Sequence, residues 1–275
     1  MLPRLLQEIG GSLLSVIFPA SCSLCGEELT EPALAGICAP CWEALEPWRG
    51  PICTACGLPL ASTQVLDATT TLCGACRTGE FRLDRARSFS FYSGPLRAAI
   101  LQLKFRRRER LGKRLGGLLV QVWEGIATEL GDDTVVLVPV PLHISRQRER
   151  GFNQAELLAD GLRAGLAKSR GGRVPDIDTR SLRKTRATPP QTGLSLSARR
   201  ENVRGAFAVA RPERIRHKKI VLVDDVMTTG ATLSSCARAL ESAGAQAICA
   251  LTLARATPEF PDLAPSVDDS GLGPS

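Results

Sequence analysis

The chain has 275 residues, of which 44% are apolar and only 4% aromatic, with a formal net charge of +7. That is enough apolar material for one large domain or two modest ones, and too few rings for an extended base-stacking surface. The charge is divided: residues 1–80 carry three Lys/Arg and eight Asp/Glu, a net of −5, whereas the remainder carries 32 and 20, a net of +12, so only the later part is inclined towards phosphates or polyanions.

Leu5 to Phe18 is apolar but carries Glu8 and lacks a small-residue cleavage site. The expectation is an amphipathic helix packed on a neighbouring domain, not a secretion signal. Nowhere does an apolar run reach the roughly eighteen residues of a membrane span, so no integral membrane segment and a cytoplasmic location are expected.

Cys22/Cys25, Cys38/Cys41, Cys53/Cys56 and Cys73/Cys76 form four Cys-x-x-Cys pairs, separated by 12, 11 and 16 residues. Two such pairs supply the four thiolates of a tetrahedral zinc site, so eight imply two structural zinc ions. A disulfide framework fits poorly, because no secretion signal accompanies the cysteines. Sequential ribbons are the expectation, although spacing also admits an interleaved cross-brace. Gly26 and Gly57 follow the second cysteine of their pairs, where a turn brings backbone N–H groups towards sulfur. Cys236 and Cys249 fall on a predicted helix and strand and are expected in the core.

Arg87 to Tyr92 reads as a strand and Gly94 to Phe105 as a helix, followed by the basic run Arg106, Arg107, Arg108 and Arg110. Arg106, Arg107 and Arg108 are the candidate DNA contacts, since a cationic cluster attracts a polyanion by counterion release. Leu111 to Leu130 has the pattern of one long helix and Thr134 to Val138 that of a buried strand, ended by Pro139 and Pro141. An arginine-rich loop from His143 to Gln154 leads into a helix from about Asn153 to Leu166. Arg146 and Arg150 are its pyrophosphate candidates, because guanidinium groups bind phosphate bidentately. The polar stretch from Leu182 to Phe207 is expected to be a mobile, basic flap with a short helix, suited to covering a diphosphate.

Ile220 to Val223 reads as a buried strand, ended by Asp224 and Asp225. Thr228, Thr229, Gly230, Ala231 and Thr232 form a hydroxyl-rich turn, and a helix runs from Leu233 to Glu241 with Gly244 as its stop. A helix N-terminus with a tight glycine turn is an anion site. The carboxylates would repel a phosphate, so they are expected to face a sugar diol or a divalent cation.

This pattern closely resembles the 5-phosphoribosyl-1-pyrophosphate (PRPP) loop of type I phosphoribosyltransferases. The resemblance implies that Asp224 and Asp225 hold the ribose hydroxyls, that Thr228 to Thr232 cradle the 5′-phosphate, and that Mg²⁺ accompanies the ligand. The paired Cys-x-x-Cys motifs, Leu103-Lys104-Phe105, Pro139-Val140-Pro141, Arg150-Gly151-Phe152-Asn153-Gln154, Gln191, Arg199 to Asn202 and Gly205-Ala206-Phe207 occur in the order seen in the ComF family, which the chain resembles over roughly residues 15 to 255. That resemblance implies an α/β fold, with a phosphoribosyltransferase-like parallel sheet flanked by helices and a small N-terminal zinc-ribbon module. Residues 256–275, rich in Pro, Ser and Asp, are expected to be a disordered tail. The resemblance places an N-terminal helix and the ribbon module in residues 1–80 and the phosphoribosyltransferase-like domain in 81–255. It also implies PRPP or a related nucleotide as ligand, and a setting in natural competence with single-stranded DNA or a competence-machinery protein as partner. Two readings follow: a phosphoribosyl-transferring enzyme, whose acceptor and catalytic base are not legible, and a non-catalytic PRPP-sensing or DNA-binding protein.

Overall fold

The computed structural model describes residues 21–29, 35–60, 71–105, 108–131, 134–169, 174–188 and 196–256. The apolar segment Leu5 to Phe18, Arg106, Arg107, Gln191 and the tail beyond Ala256 lie outside the described residues. The chain forms two compact units, Met1–Glu46 and Pro47–Ser275.

The smaller unit holds the first four Cys-x-x-Cys cysteines and helix α1 (Ala39–Glu43), which Cys38 caps in an extended conformation with Pro40 in its first turn. The larger unit begins with the second cysteine quartet and the short helix α2 (Gly74–Arg77). It continues as β1 (Arg85–Phe91), α3 (Gly94–Phe105), α4 (Glu109–Leu118), α5 (Val120–Leu130), β2 (Val135–Pro139), α6 (Ile144–Arg150), α7 (Gln154–Ser169) and β3 (Asp176–Ile177). Then come β4 (Leu182–Lys184), α8 (Leu196–Val203), β5 (Phe207–Val209), β6 (Lys219–Met227), α9 (Ala231–Ser242) and β7 (Ala247–Arg255).

Five strands make one parallel sheet in the order β1-β7-β6-β2-β3. Parallel strands joined by helical crossovers are covered on both faces, so the central ones read as continuous apolar runs. Accordingly Ile220 to Val223 and Ile248 to Ala254 are buried, with Thr252 among them. Thr252 meets Ser88 hydroxyl to hydroxyl at 2.7 Å, which satisfies both polar groups. Ile220, Leu222, Ile248 and Ala250 share a core with Leu233, Cys236, Ala237 and Leu240 of α9 and with Phe207 of β5. Cys236 and Cys249 are fully buried, as expected.

β1 is an edge strand, yet its outer side is occupied. Its Ala86 N–H donates to the Ala55 carbonyl at 2.8 Å, and the Trp48 N–H donates to the Phe89 carbonyl at 2.7 Å. The chain around the second cysteine quartet therefore runs along the sheet edge.

Three sequence expectations change. The expected helix over Leu111 to Leu130 is two helices, separated at Leu119. The arginine-rich stretch expected as a loop contains α6, which ends at Gly151 with φ 76°. The stretch from Leu182 to Phe207 is anchored at both ends: β4 and β5 pair antiparallel, and the Ser235 hydroxyl of α9 donates to the carbonyl of buried Val203 at 2.6 Å. Arg186 also donates to the Asn202 and Arg204 carbonyls at 3.0 Å each.

Candidate functional site

The structure resolves the cysteine pairing as sequential. Cys22, Cys25, Cys38 and Cys41 form one group and Cys53, Cys56, Cys73 and Cys76 the other, with the sulfurs of each within 4.8 Å of one another. The Cys25–Cys38 and Cys56–Cys73 sulfur separations are 3.7 and 3.6 Å. A disulfide would need about 2.05 Å, whereas a tetrahedron with ligand bonds of about 2.3 Å has edges of about 3.8 Å. Backbone amides point at sulfur in both groups: Cys38 N to Cys22 Sγ and Cys73 N to Cys53 Sγ, each 3.3 Å. Burial opposes ionisation of Cys22, but amide hydrogen bonds from Cys38, Cys25 and Leu24 prevail and bring it down to about 6. In the second group thiol hydrogen bonds from Cys56 and Cys76 hold Cys53 low, while Cys76 is pushed up by its hydrogen bonds with Cys53 and Cys56. A divalent cation is what allows all four to ionise together, and the donor sets fit zinc.

The second constellation lies at the carboxyl edge of the sheet. β2 and β6 are neighbours, with Pro139 opposite Val223, so the chain leaves both strands on the same side. After β6 the turn Thr228–Thr229–Gly230 starts α9. Gly230 caps that helix at φ 76°, a left-handed conformation that favours glycine. The Ala231 N–H donates to the Thr229 hydroxyl at 3.3 Å. Thr228, Thr229 and Thr232 are half-buried, and Gly230 and Ala231 are buried. After β2, Asn153 caps α7 by accepting from the Ala155 N–H at 3.0 Å and donates to the Val140 carbonyl at 3.1 Å. This one buried side chain fixes the loop that carries α6.

The acidic pair Asp224 and Asp225 is expected to end the strand. Both instead lie within β6, which runs on to Met227. Successive strand residues point to opposite faces, and the two acids differ accordingly. Asp225 is buried, its Oδ2 3.0 Å from the Lys104 ammonium. Burial alone would lower Lys104, but the Asp225 carboxylate outweighs it and raises it. Asp224 stays partly open, and burial, followed by its Asp225 neighbour, pushes it up to about 7.

Cations surround this pair. Lys184, on β4, donates to the Thr188 hydroxyl at 2.8 Å and lies 5.7 Å from the Phe207 ring centre. Burial lowers it, Cys236 and Asp224 oppose that, and Arg146 and Arg186 add to it. Lys104 and Lys184 are the cations that act on Asp224, and Arg146 and Arg186 act in turn on Lys184. Arg146 is half-exposed and pairs with Glu149 at 3.7 Å; Arg150 donates to Gln154 at 3.2 Å. The structure therefore brings the Thr/Gly turn, the acidic pair and Arg146 to one edge. Of the three expected DNA contacts Arg108 alone is described; it precedes α4, its carbonyl accepting from the Gly112 N–H. Lys104 and Lys184 are the site residues sequence reasoning missed. The run Leu103-Lys104-Phe105 did single out the first, but nothing local names its partner.

Residues 13–78 match the double zinc ribbon domain, and residues 148–268 match the phosphoribosyl transferase domain. The chain is 34% identical to the DNA utilization protein YhgH of Salmonella typhimurium over 86% of its own length and 97% of that protein's. It is 31% identical to competence protein F of Haemophilus influenzae, over 80% and 91% of the two chains. It is 28% identical to competence protein ComFC of Bacillus subtilis, over 90% and 99%. With both domains matched in order and relatives aligned over nearly their whole length, the chain belongs to the ComF family.

Proposed function

We propose that the carboxyl edge of the sheet binds Mg²⁺-PRPP or a related nucleotide, and that the protein uses this site in the handling of incoming DNA in the cytoplasm. The observation that carries the reading is the meeting, at one edge, of a glycine-capped helix N-terminus with a partly open carboxylate, Asp224, in the field of Lys104 and Lys184, the latter itself in the field of Arg146 and Arg186. A helix N-terminus with hydroxyl donors suits a 5′-phosphate. Clustered cations suit a diphosphate, the leaving group if phosphoribosyl transfer occurs. Asp224 is then the acid turned to the ribose diol, and buried Asp225 supports it through Lys104. The two cysteine quartets each hold a structural zinc ion. DNA-linked activity is supported by the names of the relatives, DNA utilization and competence proteins, and by the +12 charge after residue 80.

Calorimetry with Mg²⁺-PRPP tests the site, and pyrophosphate release with bases, amines and single-stranded DNA as acceptors tests transfer. Asp224→Asn removes a charge-assisted hydrogen bond and is expected to weaken binding on the order of tenfold to hundredfold. The ionised carboxylate is the stronger acceptor for the diol hydroxyls, and burial raises Asp224 to about 7. Affinity of the natural protein should therefore rise with pH through about 7, and this component should vanish in Asp224→Asn. Equal affinity in the two proteins across that range excludes the assignment.

A further inference from the structure

The second cysteine quartet is joined to the Thr/Gly turn by two side chains that the binding reading leaves unused. Phe81 follows Cys76 closely in sequence and is half-buried. It packs on the core made by Cys53, Cys56, Leu60 and Cys73, and also on the sheet core that contains Met227 and Leu233. Its ring is the floor beneath Gly230: a Cβ on Gly230 would stand 3.3 Å from Phe81 Cε2 and 3.4 Å from Cδ2, with Met227 Sδ next at 3.7 Å. The tightest point of the turn therefore rests on a ring that also touches the cysteine core.

Arg255 is the second link. It ends β7 and is buried, in register with Met227, the residue from which the turn departs. Its Nη1 donates to the Cys56 carbonyl at 3.2 Å, and Nη2 lies 4.0 Å from Cys56 Sγ. The following residue, Ala256, donates its N–H to the Met227 carbonyl at 3.0 Å. A guanidinium beside a ligating thiolate orients it and offsets its charge. Here the same guanidinium is built into the strand end that starts the turn.

We propose that the second cysteine site positions the phosphate turn, with Phe81 and Arg255 as the positioning residues through which it acts. Zinc fixes Cys53, Cys56, Cys73 and Cys76 relative to one another. That fixes the chain entering Phe81 and the Cys56 carbonyl that receives Arg255, and through them the floor and the start of the turn. Metal loss at this site loosens residues 228–232, whereas loss at the first site does not. The ligand-binding arm of the test rests on the reading of the turn as a phosphate site; the exchange arm does not.

The experiment uses the full-length, zinc-loaded chain. Amide hydrogen exchange is followed in peptides covering residues 228–235 without ligand, Mg²⁺-PRPP affinity is measured by calorimetry, and zinc is counted by elemental analysis. Phe81→Ala is expected to keep both zinc ions, to speed exchange in those peptides and to weaken affinity about tenfold, the loss expected when the competent turn is populated about a tenth of the time. Phe81→Leu, which refills most of the floor, should restore most of both. Arg255→Gln should speed exchange in the same peptides, and Cys22→Ser with Cys25→Ser should not. Unchanged exchange in Phe81→Ala, or equal loosening by the Cys22/Cys25 change, overturns the proposal. If the natural protein binds no PRPP, the ligand reading falls by itself and the exchange results alone decide this one.

Discussion

The two cysteine quartets are built alike and surrounded differently. In each, the first cysteine amide donates to a carbonyl five residues on at 2.7 Å, Cys22 to Glu27 and Cys53 to Leu58. In each, the glycine after the second cysteine closes the turn, with Gly26 donating to Cys22 and Gly57 to Cys53 at 2.9 Å. In each, the third cysteine caps a short helix. The first quartet is nevertheless open, with Cys25 exposed and Cys38 and Cys41 half-buried, whereas Cys53, Cys56 and Cys73 are buried. A four-thiolate zinc site carries a net charge of about −2, costly to bury uncompensated. Around the second quartet Arg255 and Arg87 supply two cations, Arg87 also donating to the Thr54 carbonyl at 3.0 Å. In the unit that holds the first quartet, the only basic residue in the sequence is Arg4. One local design thus serves as a solvated module in one place and as a structural part of a larger domain in the other.

The sharpest way to break this comparison is to remove two ligands from each site. Cys53→Ser with Cys56→Ser should abolish the cooperative unfolding of the larger unit, because structural zinc binding, about 10–16 kcal/mol in small fingers, is comparable to the stability of a whole domain. Cys22→Ser with Cys25→Ser should lose one zinc ion and leave that transition in place. Scanning calorimetry with zinc analysis checks both, and equal losses would mean the two sites are equivalent after all. Next in size is a glycine pair. Gly57 has φ 67° and a Cβ there would stand 2.7 Å from the Ala86 carbonyl oxygen, whereas Gly26, at φ 81°, has open space around it. Gly57→Ala should cost about 3 kcal/mol in urea unfolding, left-handed strain plus a backbone clash, and Gly26→Ala only the strain of about 1 kcal/mol. Smaller still is Arg255→Gln, expected to weaken zinc retention at the second site about 10- to 100-fold in competition with a chelator, with no change at the first. The finest test is alkylation at limiting chelator: Cys25, Cys38 and Cys41 should be modified before any cysteine of the second quartet, as mass spectrometry would show.

What could be read from the sequence was what chain spacing enforces. Four closely spaced cysteines, or a turn of Thr and Gly between a strand and a helix, are local. What escaped was set by partners distant in sequence. Ile220 to Val223 was legible as strand, but Asp224 and Asp225 have poor strand propensity. They are strand because β7 lies alongside, pairing Asp224 with Thr252 and Val226 with Ala254. The Lys104–Asp225 ion pair joins α3 to β6 and leaves no local trace. α6 lies in a stretch expected as loop, yet its Arg, Gln and Glu residues are good helix formers. The stretch after Leu182 looked mobile through its polarity; its anchors are single buried groups, Val203 and Phe207, contributed from its far end. Likewise nothing between Cys53 and Cys76 announces that Ala55 meets Ala86.

That last contact also governs how the protein should fail in solution. An uncovered sheet edge is a template for strands of other molecules, and β1 escapes that role because Ala55 and Trp48 bond to Ala86 and Phe89. Ala55 lies inside the second quartet, between Cys53 and Cys56, and Trp48 stands five residues before it. Stripping its metal would therefore expose a sticky margin before the sheet itself melts, and the protein should leave solution as intermolecular β-aggregate, not as soluble unfolded chain.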